Sequence, residues 1–187
     1  AFSEYRIDAA TDTAPFTLYT LPFMLSEGAH AIEFRSRDNA GNLEITKSSA
    51  VFVDDTPPEV EFSLAGSSFT LDYTLYAALG STVTLVSSDT ASGVKALYYA
   101  INGTTYTASA GRAEIILPAE GSYSFRYYAA DNVNNTGEEK SATVRVDTAA
   151  PAVSISVPVA GQVFIATRNK IGVGFTVTDN FDPAPLG

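Results

Sequence analysis

The sequence predicts an all-β protein made of short antiparallel strands, and three observations lead to that class. Apolar and polar residues alternate along short runs, which is the period of a half-buried strand. The runs are rich in Val, Ile, Thr and Tyr, and the chain has 10 Tyr and 11 Phe but no Trp, a composition that favours strands. Clusters of Gly, Asn, Asp and Pro separate the runs, and these residues form turns. No stretch shows the period of an amphipathic helix.

The chain also repeats itself with a period of about 93 residues. Residues 27–58 align with residues 120–151 without a gap, and residues 83–89 align with residues 173–179 at a shift of 90. Because so many residues match at almost the same shift along the sequence, the chain contains a repeated structural unit. The unit starts near Pro57.

This repeat predicts one whole unit and two partial ones. Residues 57–150 form the whole unit, residues 1–56 are the C-terminal part of a preceding unit, and residues 151–187 are the N-terminal part of a further unit. We expect the unit that begins at residues 151–187 to be completed either by the C-terminal part of a neighbouring copy or by a part of the chain truncated here.

Within the whole unit, six runs place apolar residues on one face of a strand, and turn residues lie between the runs. About seven short strands in a unit of this length are typical of an immunoglobulin-like β-sandwich. The predicted class is therefore all-β, with tandem immunoglobulin-like sandwich domains of about seven strands each. The inward residues are predicted to be Val60, Phe62 and Leu64; Val83 and Leu85; Leu97, Tyr99 and Ile101; Ile115 and Leu117; Tyr123, Phe125 and Tyr127; and Val144 and Val146.

One aromatic residue marks a particular corner of this sandwich. Tyr123 lies two residues before the core position Phe125, as in the tyrosine corner, where the hydroxyl bonds to nearby backbone. His30 occupies the same position in the preceding unit. Both residues are therefore predicted to be structural, although His30 is the only histidine of the chain.

Four motifs carry a resemblance to a known family: Tyr5-Arg6-Ile7-Asp8, Glu27-Gly28-Ala29-His30, Arg37-Asp38-Asn39-Ala40-Gly41-Asn42 and Val53-Asp54-Asp55-Thr56-Pro57-Pro58. Together they resemble the tandem bacterial immunoglobulin-like repeats, related in fold to fibronectin III and cadherin domains, of large surface or extracellular proteins. The resemblance implies the sandwich fold and an extracellular or cell-surface location. Such repeats serve in stalks, adhesins, filaments and multidomain enzymes.

Charge and composition exclude several classes of function. The net charge of −10 is scattered along the chain, which argues against a nucleic-acid partner, since phosphates require a basic face. No apolar run approaches the length needed for membrane insertion. The chain has no Cys, one His, no phosphate-binding glycine loop and no zinc-ligand spacing, so we expect no enzymatic activity.

Calcium is the cofactor that the acidic residues suggest, because Ca²⁺ binds six to eight oxygen ligands. The alternative is that each aspartate caps its own turn, as Asp does in loops and before Pro-bearing linkers. No EF-hand pattern is present, and no other cofactor is expected. The candidate ligands in loops and linkers are Asp38, Asp54, Asp55, Asp89, Asp131, Asp147, Asp179 and Asp182.

Two further kinds of site have weaker sequence support. Asn102 and Asn134 begin Asn-x-Thr glycosylation sequons, which arise by chance at about this frequency and matter only in a host with the machinery. Four tyrosines either form an aromatic platform for sugars or cover a sheet face. They are Tyr73, Tyr76, Tyr98 and Tyr106.

These observations favour a structural repeat of an extracellular stalk or filament, an end-to-end rod whose partners are neighbouring copies or adjacent domains. Short Pro-bearing linkers favour semi-rigid connections. Two alternatives stay open: an adhesin or carbohydrate-binding module, with a glycan or host protein as partner, and a spacer of a secreted multidomain enzyme. The first partial unit has core-facing residues with no first strands to cover them, namely Ile7, Ile32, Phe34, Val51 and Val53.

Overall fold

The computed structural model describes residues 1–163 and 172–179, which contain fifteen strands and no helix. In this part of the chain there is accordingly no helical segment that could span a membrane. The strands are β1 (Phe2–Ile7), β2 (Thr17–Leu18), β3 (Gly28–Arg37), β4 (Lys47–Val53), β5 (Glu59–Ala65), β6 (Ser68–Leu71), β7 (Thr74–Ala78), β8 (Thr82–Ser88), β9 (Val94–Ile101), β10 (Thr104–Ala108), β11 (Arg112–Ile116), β12 (Gly121–Asp131), β13 (Lys140–Asp147), β14 (Ala152–Val157) and β15 (Gly174–Thr178).

Strands β5 to β13 form a complete two-layer sandwich, so the prediction of an all-β immunoglobulin-like fold is confirmed. One layer has the strand order β11-β8-β5, and the other has the order β10-β9-β12-β13-β7-β6. Neighbouring strands are antiparallel except for β7 and β13, which pair in parallel. Two β-sheets that pack face to face around one core are the architecture of this fold.

The core between the layers contains the inward residues that the alternation predicts. Phe125 is 1% exposed, and Leu85 and Leu97 are fully buried. The Phe62 ring joins the layers, since its centroid lies 5.8 Å from those of both Phe125 and Tyr127. Each large apolar side chain buried in this way contributes about 1.5–3 kcal/mol.

The sandwich has nine strands rather than about seven, because alternation did not reveal the hairpin of β6 and β7. Asp72 and Tyr73 form its turn with φ of 46° and 62°, a left-handed pair that suits a tight two-residue hairpin. Phe69 and Tyr76 stack across the hairpin with centroids 4.8 Å apart. Phe69 and Tyr76 are therefore aromatic at positions where strict alternation of apolar and polar residues predicts polar side chains.

Strands β1 to β4 form a single sheet in the order β2-β1-β3-β4. No second sheet covers it among the residues that the structure describes. Phe34 is 40% exposed and Val51 37%, whereas the aligned Tyr127 and Val144 of the complete sandwich are 6% and 0% exposed. Part of the open face is covered locally, because the Tyr5 ring stacks on Phe23 with centroids 4.3 Å apart. The apolar face of this sheet is largely open.

The other face of the same sheet is closed by its own loop. Arg6 is 8% exposed, and its Nη1 donates hydrogen bonds to the carbonyl oxygens of residues in the loop after β1, namely Thr11, Asp12 and Ala14. The guanidinium of Arg35 lies 3.8 Å from the centroid of the Phe16 ring. The hydrogen bonds of Arg6 to three carbonyl oxygens thus fix the position of this loop, and the Phe16 ring of the loop packs on the sheet.

Strands β14 and β15 pair only with each other in the described residues. Ile155 is 58% exposed and Phe175 is 64% exposed. A two-stranded hairpin is marginally stable alone in water. Among the described residues, this pair of strands therefore presents a second apolar face that no other strand covers.

Candidate functional site

Three of the eight aspartates predicted as calcium ligands come together where the first linker meets the complete sandwich. They are Asp54, Asp89 and Asp131, and one carboxylate oxygen from each lies within 4.8 Å of the others. Asp54 follows β4, Asp89 follows β8, and Asp131 ends β12. The cluster therefore joins residues that are far apart in sequence.

A β-bulge places Asp131 in this cluster. The pairing of β12 with β9 shifts register between Ala130 and Asp131, and Ala129, Ala130 and Asp131 are buried in succession. A bulge redirects side chains that strict alternation would send to opposite faces. Asp131 consequently has no exposed surface, which is unusual for a carboxylate.

Backbone amides satisfy part of the acceptor capacity of each carboxylate. Asp131 Oδ1 accepts hydrogen bonds from the amides of Val133 and Asn135, at 2.9 and 2.8 Å. Asp89 Oδ1 accepts from the amides of Ala91 and Gly93, at 3.0 and 2.7 Å. The turn-capping role weighed as the alternative to calcium binding is therefore present in the geometry.

The cluster is nevertheless a concentration of negative charge. No lysine or arginine in residues 1–163 and 172–179 forms an ion pair with any of the three carboxylates. The side chain of Ser92 and the amides of Thr56 and Ser92 hold the pKa of Asp54 below its usual range. Like charges this close repel one another, whereas a hard cation with oxygen ligands would relieve the repulsion. The donor set fits Ca²⁺, and bound calcium stays a prediction.

The other predicted ligands lie elsewhere. Asp38 caps its own hairpin through Asn42, and Asp147 Oδ1 accepts the amide of Ala149 at 2.9 Å. Asp55 is exposed in the first linker, and Asp179 follows β15. Asp182 lies outside the described residues.

The linker itself is bonded to both of its neighbours. Asn135 Nδ2 donates to the carbonyl oxygen of Asp54 at 3.0 Å, and the amide of Ser92 donates to Asp54 Oδ2 at 2.9 Å. On the other side, Thr56 Oγ1 donates to Glu27 Oε1 at 2.6 Å. Asn135 and Ser92 are not recognisable in the sequence as linker contacts, because their partner Asp54 is distant in sequence.

The second linker repeats local features of the first. The amide of Thr56 donates to Asp54 Oδ1 at 3.0 Å, in the same way as Ala149 bonds to Asp147. Thr148 Oγ1 donates to Glu120 Oε2, as Thr56 does to the aligned Glu27. The two junctions therefore begin with the same local geometry.

The corner positions also have matching backbone contacts. Tyr123 Oη donates to the carbonyl oxygen of Ala119 at 3.0 Å. His30 Nε2 lies 2.8 Å from the carbonyl oxygen of Ser26. Each side chain thus bonds to the residue four positions before it, on the turn that leads into its strand.

The His30 corner differs in its charge. His30 Nδ1 lies 2.7 Å from Asp8 Oδ2, and the amide of Ala31 donates to Asp8 Oδ1 at 2.7 Å. The hydrogen bonds to Asp8 and then to Ser26 raise the pKa of His30. The Ala31 amide and then His30 lower the pKa of Asp8. Two acceptors, one on each ring nitrogen, favour the imidazolium form.

We expect Asp8→Asn to lower the His30 pKa, since the variant keeps an acceptor but removes the charge. In the wild-type chain, protonated His30 stabilises the folded state through its hydrogen bonds. This contribution is fully present below about pH 6.5, the pKa of an unperturbed His, and it is lost as the pH rises through the pKa of His30 in the folded state. The lowered Asp8 pKa contributes above about pH 4 and is lost on acidification through its folded-state value. An NMR titration measures this directly, because the chain has one His.

A matched control comes from the complete sandwich. There Asn102 occupies the Asp8 position, and its Oδ1 accepts the Ser124 amide at 2.8 Å. The double variant Asp8→Asn with His30→Tyr copies that corner and should remove its pH dependence between pH 5 and about 8. Titration of His30 near its unperturbed value in both wild type and Asp8→Asn would show that the pair does not form.

The remaining predicted sites are dispersed. Asn102 and Asn134 lie at loop tips with φ of 48° and 75°, and Asn134 Oδ1 accepts Lys95 Nζ at 2.7 Å. Of the four tyrosines considered as a sugar platform or as cover for a sheet face, two lie in the β6–β7 hairpin, apart from the two on β9 and β10. Tyr76 is 6% exposed, and Tyr73 is in the turn, separated from β9 and β10 by intervening strands.

Comparison with known proteins agrees with this fold. The family model described as bacterial Ig-like domain (group 3) matches residues 115–187, a segment that runs from β11 through β15. The match agrees with the all-β, Ig-like sandwich architecture of the chain.

The solved structure titled "Structures of Clostridium thermocellum CbhA fibronectin(III)-like modules" shares 16% identity with the chain, covers 78% of this chain and 77% of its own, and has a TM-score of 0.35. No curated protein sequence matches the chain significantly.

Proposed function

We propose that the chain is a structural module of an extracellular or surface protein, in which Ig-like domains follow one another end to end as a semi-rigid rod. The observation that carries this proposal is the linker bonded on both sides. Asp54 is tied to Asn135 and Ser92 of the following domain, and Thr56 is tied to Glu27 of the preceding one. Connections of this kind transmit length and orientation, which is the task of a stalk or spacer.

Packing at the junction supports the same proposal. Pro58 is buried, and a Cβ at Gly137 would collide with the Pro58 carbonyl oxygen. The linker backbone thus lies directly against the hairpin that follows β12. A proline with a fixed φ in such close contact restricts the bending of the chain.

The two open apolar faces support completion of the partial domains by a neighbouring copy. In the complete sandwich, Phe62 of β5 packs on Phe125 of β12. The aligned residues are Ile155 in β14 and Ile32 in β3, both apolar. When one apolar residue replaces another at an aligned core position, the two sheets can still pack around an apolar core. The first strands of one copy are thus suited to cover the last strands of another.

The docked linker is tested with Asn135→Ala in the whole chain. We expect the backbone amides of Asp55 and Thr56 in the wild type to be ordered, with order parameters of about 0.85, and to fall below about 0.6 in the variant. The reason is that the variant removes the side-chain donor to the Asp54 carbonyl. ¹⁵N relaxation measures the change.

The matched control is Asn134→Gly in the same hairpin. Its side chain bonds to Lys95 rather than to the linker, glycine tolerates its positive φ, and Gly41 stands at the aligned position. We expect linker order to be unchanged in this variant. Linker amides that are as mobile in the wild type as at a chain end would contradict the rod.

A further inference from the structure

The outer face of the six-stranded sheet carries an open cleft of about 640 Å³, formed mainly by β9, β10 and β12. Tyr98 and Tyr128 are paired across β9 and β12, with ring centroids 5.0 Å apart and planes 19° apart. The next outward position on β9 is Ala100, which pairs with Arg126 on one side and Thr105 on the other. A small residue among longer ones leaves a depression beside an aromatic pair.

We propose that this cleft binds a neutral oligosaccharide, an activity beyond the structural role of the module. A pyranose ring offers an apolar C–H face that packs on a tyrosine ring, and hydroxyl groups around its edge. Tyrosine combines a large apolar surface with a polar tip. The hydroxyls of Thr105 and Thr107 and the guanidinium of Arg126 line the same cleft and provide the hydrogen-bonding groups that orient a ligand.

The first sheet shows that this face of the fold can hold a planar group. By strand register, Glu4 and Arg35 occupy the positions of Tyr98 and Tyr128. That face is already covered, because the Phe16 ring from the chain's own loop lies over Arg35. In the complete sandwich, β9 and β10 are joined by the tight turn at residues 102–103, so the connection between these two strands is too short to cover the cleft. The Phe16 ring thus covers the outer face of the first sheet, whereas the corresponding face of the six-stranded sheet has an open cleft.

The lining favours a neutral saccharide over other ligands. Among the described residues the lining contains no Leu, Ile, Val, Met or Phe, so it lacks the aliphatic pockets in which a hydrophobic peptide anchors. Arg126 Nη1 and Glu139 Oε1 are 3.5 Å apart, and their charges compensate. The net charge of −10 repels a polyanionic glycan.

The test is an NMR titration of the whole chain with three soluble neutral hexasaccharides, of β-1,4-linked glucose, xylose and N-acetylglucosamine. We expect at least one to shift amides of residues 98–107 and 124–128 and to leave those of β1 to β4 unchanged. Tyr98→Ala and Tyr128→Ala should each weaken binding about tenfold. Tyr73→Ala removes a fully exposed tyrosine of the β6–β7 turn and should bind as the wild type does.

Arg126→Ala separates hydrogen bonding from sheet stability, because its side chain is 72% exposed and its loss leaves both tyrosines in place. We expect it to weaken binding with an unchanged melting temperature. The proposal is overturned if none of the three sugars shifts these amides at millimolar concentration, or if heparin or a proline-rich peptide binds there more tightly. The rod proposal is tested separately, by the order parameters of the linker amides. Neither result of the sugar titration changes that test, so the two proposals can fail independently.

Discussion

Hydrogen exchange of the whole chain should show β3 exchanging at least about a thousandfold faster than β12, although both are central strands with a partner on each side. The difference lies in the cover over their inward faces. Phe34 is 40% exposed, whereas the aligned Tyr127 is 6% exposed. Each tenfold difference in protection corresponds to about 1.4 kcal/mol in the free energy of opening. Mass spectrometry of peptides from the two strands measures both rates in one sample.

The size of this effect follows from the side chains that lack a covering sheet. Five residues of the first sheet were predicted to face a core, at roughly 2 kcal/mol for each complete burial. Their sum, about 10 kcal/mol, is comparable to the whole stability of a typical domain, about 5–15 kcal/mol. These residues are Ile7, Ile32, Phe34, Val51 and Val53. The first sheet should therefore open without a partner, while β12 opens only with the whole sandwich.

Protein concentration provides the second part of this experiment. If a neighbouring copy completes the domain, protection of β3 rises with concentration, because association stabilises only the bound state. Ile116, which is 66% exposed on β11, supplies a control position: Ile116→Ala should change neither strand. Equal protection of β3 and β12 at high dilution would contradict the argument and would mean that the first sheet is stable alone.

The sandwich core could be predicted from the sequence because alternation reports directly which residues face inward. Leu85, Leu97 and Phe125 were assigned in this way and are buried. The β6–β7 hairpin could not be assigned, since Phe69 and Tyr76 stack with each other on a sheet edge and so break the inward and outward pattern. Edge strands have a weaker periodic signal because fewer of their side chains reach the core.

The sequence predicted that aspartates would form a candidate metal site, but it did not predict which of the eight aspartates come together. Asp38 and Asp131 hold the same hairpin position in the repeat, so the sequence does not distinguish them. Only Asp131 meets a linker and a second loop, at the point where the pairing of β12 with β9 shifts register. Neither bulges nor contacts across 81 residues, such as that of Asn135 with Asp54, leave a periodic trace in the sequence.

The Phe16 loop and the Tyr98–Tyr128 pair were also missed, for a related reason. Phe16 lies outside the alternating runs, and its position depends on Arg6, whose guanidinium bonds to three loop carbonyls. Tyr128 was hidden because strand β12 contains aromatic residues on both faces. A pattern that separates apolar from polar residues cannot distinguish an outward tyrosine from an inward one.

Calcium should raise the melting temperature of the complete sandwich by about 10–20 °C when it exceeds the dissociation constant a hundredfold. Binding at that ratio stabilises the folded state by about 2.7 kcal/mol, and each kcal/mol shifts a domain of this size by about 4–8 °C. The physical cause is the repulsion among Asp54, Asp89 and Asp131, which a divalent cation removes. Calorimetry with calcium and with a chelator measures the shift.

Asp89→Asn is the informative variant for this prediction. Its amide oxygen can still accept the hydrogen bonds of Ala91 and Gly93, so the turn is preserved, while one of the three charges is removed. We therefore expect the calcium response to fall sharply and the melting temperature in chelator to stay the same or rise, because repulsion decreases. Asp38→Asn is the control, since Asp38 caps an equivalent hairpin outside the cluster. If the aspartates serve only as turn caps, wild type and Asp89→Asn will melt at the same temperature with calcium and with chelator.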